Sequence, residues 1–186
     1  KKELTTAEAC RILDELAEAG CLWLLLTGGE ILLRGDFLEI YAYAKRKGFL
    51  ITLFTNGLAV TDRVADALAQ EPPFNIEITL YGASEATYLR VTKMAGGYAR
   101  TLAGIDRLQA RGLPLGLKST LLNENREDLP AMRRIAQERG LSFHYTAELS
   151  PRIDRPGEAI GTRLTPEQAF ELDRADSERW EALRVL

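Results

Sequence analysis

Short apolar runs alternate with longer amphipathic stretches along most of this chain, and that alternation constrains the fold most. The runs start near Leu22, Leu50, Ile76, Leu115 and Ser142, about 26 to 39 residues apart. Between them, apolar residues recur at helical spacing: Ala9, Ile12, Leu13 and Leu16; Phe37, Ile40, Tyr41 and Ala44; Val64, Ala67 and Leu68; Leu102, Ile105 and Leu108. Thr5 or Thr6 with Glu8 marks the first helix start, Asp36 and Thr61-Asp62 the next two, and Gly20, Gly48, Gly112 and Gly140 mark stops. A helix is expected over Asp128 to Arg139, and Thr165-Pro166 opens a last one with Pro at its first position. The run Cys21 to Leu26 is apolar on both faces and suits a strand covered on both sides. Strand alternating with helix implies parallel strands and right-handed crossovers. Two α/β architectures satisfy this: an open doubly wound sheet, or a full or partial βα barrel. The units differ in sequence, so the period is structural and not that of a solenoid.

Composition removes several function classes. Lys plus Arg is 24 against 27 Asp plus Glu, a net charge of -3, which argues against a strongly cationic nucleic-acid binder. No apolar run approaches the ~18 residues of a membrane-spanning helix; the longest is Leu22 to Leu26. No signal-peptide pattern opens the chain. Two cysteines, Cys10 and Cys21, cannot build a multi-bridge scaffold, and a reducing, cytoplasmic setting is expected.

In parallel α/β folds the chemistry gathers where strands end. Here the ends read Thr27-Gly28-Gly29-Glu30, Thr55-Asn56-Gly57, Thr79 with Tyr81-Gly82, Lys118 with Thr120 and Asn123, and Thr146-Ala147-Glu148. Gly28-Gly29 has two readings: a tight turn needing φ > 0, or a backbone that a ligand approaches closely. Glu30 behind it is placed to receive an ammonium group. A phosphate loop is excluded, because G-x-x-x-x-G-K-[ST] is absent and an acid there repels phosphate. G-x-G-x-x-G is absent too. Asn56-Gly57 is at least a turn. Leu115, Leu117 and Leu121 leave Lys118 and Thr120 on the opposite face, which in a barrel is the interior. His144, the single histidine, sits between Phe143 and Tyr145 and reads as a core or hydrogen-bonded strand residue rather than a base. Cys10 and Cys21 read as packing residues. Glu3, Glu8, Glu15 and Glu18 read as a solvated helix face.

The run from Leu26-Thr27-Gly28-Gly29-Glu30 to Arg34-Gly35-Asp36-Phe37, then Thr55-Asn56-Gly57, then Ile78-Thr79-Leu80-Tyr81-Gly82, resembles the radical S-adenosylmethionine (SAM) superfamily. The closest likeness is to its peptide-modifying branch with a C-terminal SPASM or twitch extension. Gly96-Gly97-Tyr98 with Ile105, and Glu148 to Asp154, resemble further stretches of that branch. The resemblance implies a partial (β/α)6 TIM-like barrel with its first βα unit missing or incomplete. It implies a [4Fe-4S] cluster that binds SAM, reductive cleavage to a 5′-deoxyadenosyl radical, and hydrogen-atom abstraction from a substrate, here a ribosomal peptide during its maturation. By position, Gly28, Gly29 and Glu30 would receive the SAM amino group, Thr79 stands where the family has a SAM-contacting Ser, Asn56 and Lys118 would line the same mouth, and Arg90 would meet the SAM carboxylate. An electron donor of the flavodoxin or ferredoxin type is implied as well.

Family members place C-x-x-x-C-x-x-C after the first strand, and that strand and motif are not in this sequence. Nothing here can ligate the cluster, so this segment alone is expected to be inactive. Ile31 replaces the usual Pro after the Glu, while Thr79 for Ser keeps the hydroxyl. The expectation is truncation: residues 1–150 form the barrel, and residues 151–186 lead toward an extension whose auxiliary-cluster cysteines are absent here. The stretch Pro151 to Gly157 is expected to be a splice from which loop residues are missing. Two other functions remain open: maturation of a tetrapyrrole-type cofactor by the same chemistry, and a non-catalytic barrel that binds SAM or a peptide.

Overall fold

A computed structural model describes residues 3–149 and 160–184. Its strands are β1 (Trp23–Leu26), β2 (Leu50–Thr55), β3 (Asn75–Thr79), β4 (Leu115–Thr120) and β5 (Ser142–Thr146). Its helices are α1 (Thr6–Glu18), α2 (Phe37–Arg46), α3 (Asp62–Gln70), α4 (Glu85–Thr92), α5 (Gly97–Gln109), α6 (Leu129–Glu138), α7 (Pro166–Ala175) and α8 (Ser177–Arg184). The sequence reading of Ser150 to Asp154, and of Pro151 to Gly157, lies outside the described residues.

All neighbouring strands pair in parallel, in the order β1-β2-β3-β4-β5. This order decides between the two architectures. A doubly wound sheet reverses its strand order at a switch point. A sheet whose strands succeed one another without reversal, joined by right-handed crossovers, carries all its helices on one face. The other face is then the inside of a βα barrel, here an incomplete one of five strands.

The strand residues sort accordingly. Ile51, Leu53, Ile76, Ile78 and Leu117 are fully buried toward the helices, packed with Ala44, Leu68, Ile105, Leu108 and Met132. Each large side chain buried this way stabilises the fold by about 1.5–3 kcal/mol. The alternate residues Thr52, Phe54, Asn75, Glu77, Thr79, Lys118 and Thr120 are half-buried and line the concave face.

The covered strand expected at Cys21 to Leu26 is corrected. Trp23 and Leu25 are 56% and 47% exposed, and Cys21 and Leu22 are exposed too. β1 is the sheet edge among the described residues, and the register puts Trp23 and Leu25 on the concave face beside Leu50 and Thr52, so only Leu24 and Leu26 pack on the core. Thr5, not Thr6, caps α1, and Glu8 closes the capping box: its backbone N–H donates to Thr5 Oγ1 at 3.2 Å and its carboxylate accepts the Thr5 N–H at 2.8 Å. Glu8 is therefore more than a solvated face residue. α7 starts with the same device, Thr165 with Gln168. The connection Ala83 to Gly97 contains α4, where only Thr87 and Tyr88 are buried, too few to set an apolar period.

Candidate functional site

Glu30 organises the rim. It caps a single 3-10 turn, Ile31–Leu33, by accepting the Leu32 N–H at 3.1 Å. The same carboxylate accepts the Thr55 hydroxyl at 2.7 Å and the Asn56 N–H at 2.8 Å. Thr55-Asn56 thus holds the loop after β1 against the end of β2. Asn56 Oδ1 accepts the Leu58 N–H at 2.9 Å, and Gly57 turns the chain at φ +77°. The turn expected at Asn56-Gly57 is present, and it is also one wall of the rim. α5 lies hard against it: a Cβ at Gly104 would sit 2.3 Å from the Gly57 carbonyl oxygen.

A hydrogen-bonded chain then links the rim residues. The Asn56 carbonyl accepts the Thr101 hydroxyl at 3.0 Å. Thr101 Oγ1 then accepts the Tyr88 hydroxyl at 2.9 Å, and the Tyr88 oxygen lies 3.4 Å from the Thr79 carbonyl oxygen. Burial pushes the Tyr88 phenol up to about 12, so it stays a neutral hydroxyl. Burial raises Tyr81 as well, and the nearby Glu30 charge adds to it. Glu30, Asn56 and Thr79 are therefore brought together at adjacent strand ends.

Gly28 and Gly29 correct one expectation. Neither has positive φ, so no left-handed turn requires them. A Cβ at either would meet nothing within 4 Å. Both are exposed, beside a groove of about 550 Å³ that runs from Thr27 to Glu30 toward Leu4, Arg34 and Phe37.

Arg90 and Lys118 make contacts within the chain. Arg90 Nε and Nη2 donate to the Glu124 carbonyl at 3.1 and 2.6 Å, and Nη2 also to Thr87 Oγ1 at 3.0 Å, which braces α4 against the loop after β4. Lys118 pairs with Thr79 in the β3–β4 register, on the interior face as expected. Its Nζ turns toward Glu77 Oε2, 3.6 Å away, and lies 2.6 Å from the Phe54 ring centroid. Burial lowers the Lys118 pKa, and the Glu77 carboxylate opposes that shift.

His144 is 54% exposed at its side chain, with Nε2 3.3 Å from Glu77 Oε2. The core reading of His144 is corrected, because its strand position faces the open interior. Sequence reasoning missed Glu77. The signal was there: Asn75, Glu77 and Thr79 alternate with buried Ile76 and Ile78, which marks a polar row on the interior face.

These features define a βα half-barrel whose polar and glycine residues gather at the carboxyl ends of its strands. The family model of the Radical SAM superfamily matches residues 1–136. The chain belongs to the radical SAM superfamily. It is 33% identical over 149 residues to the AdoMet-dependent heme synthase of Methanosarcina barkeri, covering 80% of this chain and 43% of that protein. It is 34% identical over 139 residues to the PqqA peptide cyclase of Ruegeria pomeroyi, covering 75% and 37%. Among solved structures, Streptococcus suis SuiB aligns with a TM-score of 0.77 at 12% identity, covering 99% of this chain and 42% of that one. Native anSMEcpe with bound AdoMet and Cp18Cys peptide aligns at 0.69 and 14% identity, covering 95% and 51%. The likeness in structure establishes a shared fold. The chain spans about two fifths of the length of these two curated relatives.

The family implies SAM and an iron–sulfur cluster, and the residues present fit the two differently. Open glycines beside an anchored carboxylate suit an amino-acid ligand. A cluster needs thiolates. Cys10 and Cys21 are free, one half-buried and one exposed with its thiol donating to the Trp23 carbonyl. No group of three or more His, Cys, Asp or Glu among the described residues could hold a metal. The described residues do not fit the cluster. No helix among them is long and apolar enough to cross a membrane.

Proposed function

We propose that the full-length protein is a peptide-modifying radical SAM enzyme in which residues 1–150 supply the SAM-binding half-barrel and residues 151–186 lead to a C-terminal extension. One observation carries this reading. Gly28 and Gly29 are required neither by backbone conformation nor by packing among the described residues. Glycine at such a position leaves room for a ligand at the backbone. Gly28, Gly29 and Glu30 receive the SAM amino group, Asn56 and Thr79 line the same mouth, Lys118 lies below it on the interior face, and Arg90 meets the carboxylate by giving up the Glu124 carbonyl. Of Glu30's lone-pair sites three are taken within the chain, which leaves one for an ammonium donor. The chemistry SAM supplies when bound is hydrogen-atom abstraction.

The PqqA peptide cyclase relative and the peptide bound in anSMEcpe support a peptide substrate. A flavodoxin- or ferredoxin-type electron donor and auxiliary iron–sulfur clusters in the extension belong to the same reading. The free thiols of Cys10 and Cys21 support a cytoplasmic site of action. The heme synthase relative supports a second reading, tetrapyrrole-type cofactor maturation by the same chemistry.

The test is anaerobic reconstitution of the full-length protein with iron and sulfide, followed by a reductive assay. Release of 5′-deoxyadenosine is expected. An iron-loaded protein that leaves SAM intact contradicts the reading. Modification of a precursor peptide encoded beside the gene, against turnover of a tetrapyrrole, separates the two substrate classes.

A further inference from the structure

Below the rim, three titratable side chains meet on the concave face, and SAM binding leaves their arrangement unexplained. β4 places Gly116 opposite both Glu77 and Ser142. A Cβ there would lie 2.8 Å from Ser142 Oγ. With no side chain in the way, Glu77 on β3 reaches past β4 to His144 on β5, and Oε2 lies 3.3 Å from the imidazole Nε2. Lys118, opposite His144 in the register, sets its Nζ 3.6 Å from the same oxygen. That oxygen is buried and makes no hydrogen bond, so His144 Nε2 and Lys118 Nζ stand near it as charged or polar neighbours, while Asn75 Nδ2 donates to Oε1 at 3.4 Å. The remaining side chains facing this cluster, Thr52 and Phe54 on β2, Asn75 and Thr79 on β3, Thr120 on β4, Ser142 and Thr146 on β5, are all neutral.

A carboxylate against one imidazole nitrogen keeps the proton there and leaves the other nitrogen as an acceptor. Glu77 faces Nε2, so Nδ1 is the acceptor on a ring that is 54% exposed. We propose that Glu77 and His144 form an acid–base dyad on the interior face, in which Glu77 positions His144 to exchange a proton with an O–H, N–H or S–H side chain of the bound peptide. This deepens the proposed function and rests on it. In the step the substrate X–H bond breaks, the heteroatom keeps the electron pair, and an Nδ1–H bond forms. No electron is gained or lost, so no oxidant is needed. Lys118 sets a positive charge beside the Glu77 carboxylate.

The first test needs no substrate. In the full-length protein labelled with 15N-histidine, with His144→Gln for assignment, neutral His144 is expected as the Nε2–H tautomer. Glu77→Gln is expected to mix the two tautomers. A wild type dominated by Nδ1–H overturns the dyad. The second test follows modification of the precursor peptide against pH. His144→Gln is expected to slow it about 100-fold or more and to change the shape of its pH profile. An unchanged profile in His144→Gln overturns the proposal. Absence of SAM cleavage in the wild type counts against the functional reading instead, and the tautomer result stands apart from it.

Discussion

The Glu30 carboxylate accepts the Asn56 backbone N–H at 2.8 Å, which fastens the loop after β1 to the turn after β2. Thr55 donates to its other oxygen at 2.7 Å. Two rim segments from neighbouring strands therefore hold one shape before any ligand arrives.

Glu30→Gln puts an amide N–H₂ against one of its donors, and Glu30→Ala leaves three unmet, the Leu32 and Asn56 N–H groups and the Thr55 hydroxyl. A part-buried donor that loses its acceptor costs about 1–3 kcal/mol. Both variants are expected to lower the urea midpoint and to weaken SAM binding by about 10-fold or more, a factor that corresponds to ~1.4 kcal/mol. Calorimetric SAM titration beside denaturant melts checks both. Wild-type affinity in Glu30→Gln counts against the anchor.

Tyr88 and Thr101 couple the far side of the rim. Tyr88→Phe removes a buried hydroxyl that meets Thr101 and the Thr79 carbonyl, and about 0.5–1.5 kcal/mol of stability should go with it. Thr101→Val removes the donor to Asn56. A double-mutant cycle on urea unfolding should give a coupling of about 0.5 kcal/mol or more. Strict additivity means the chain of hydroxyls does not act as a unit.

Much of this was legible from residue order alone. The βα alternation, the strand ends and the interior side of Lys118 follow from period-2 and period-3.6 patterns. Barrel against doubly wound sheet was legible only through the motif resemblance, because strand order is a property of pairing and not of any one strand. Leu22 and Trp23 misled because an edge strand and a covered strand carry the same apolar residues. His144 and Glu77 were obscured for a related reason: they meet across β4, and only the glycine at 116 lets them do so. Arg90 was assigned by spacing, whereas its contacts depend on where α4 lies against the β4–α6 loop.

Asp36 carries an acid-side prediction. Its carboxyl lies 2.7 Å from Arg34 Nε and accepts Arg34 Nη2 at 2.8 Å and the Thr6 hydroxyl at 2.6 Å. The Arg34 hydrogen bonds, then that of Thr6, hold its pKa below the usual carboxylate value. A depressed carboxyl stabilises the fold above its unfolded pKa of about 3.9, and the gain is lost as pH falls through the folded value. Asp36→Asn should therefore lower the urea midpoint at pH 7 and approach wild type below about pH 3. An equal deficit at both pH values contradicts this linkage.

The central claim is that Gly28 and Gly29 leave room for SAM. Gly28→Ala and Gly29→Ala meet no neighbour and break no left-handed turn, so each should keep the unfolding free energy of the wild type to within ~0.5 kcal/mol. The decisive measurement is SAM titration into these variants of the full-length, anaerobically reconstituted protein. The account predicts Kd raised about 10-fold or more at unchanged stability. Wild-type affinity in both alanine variants would show that SAM does not sit against this backbone.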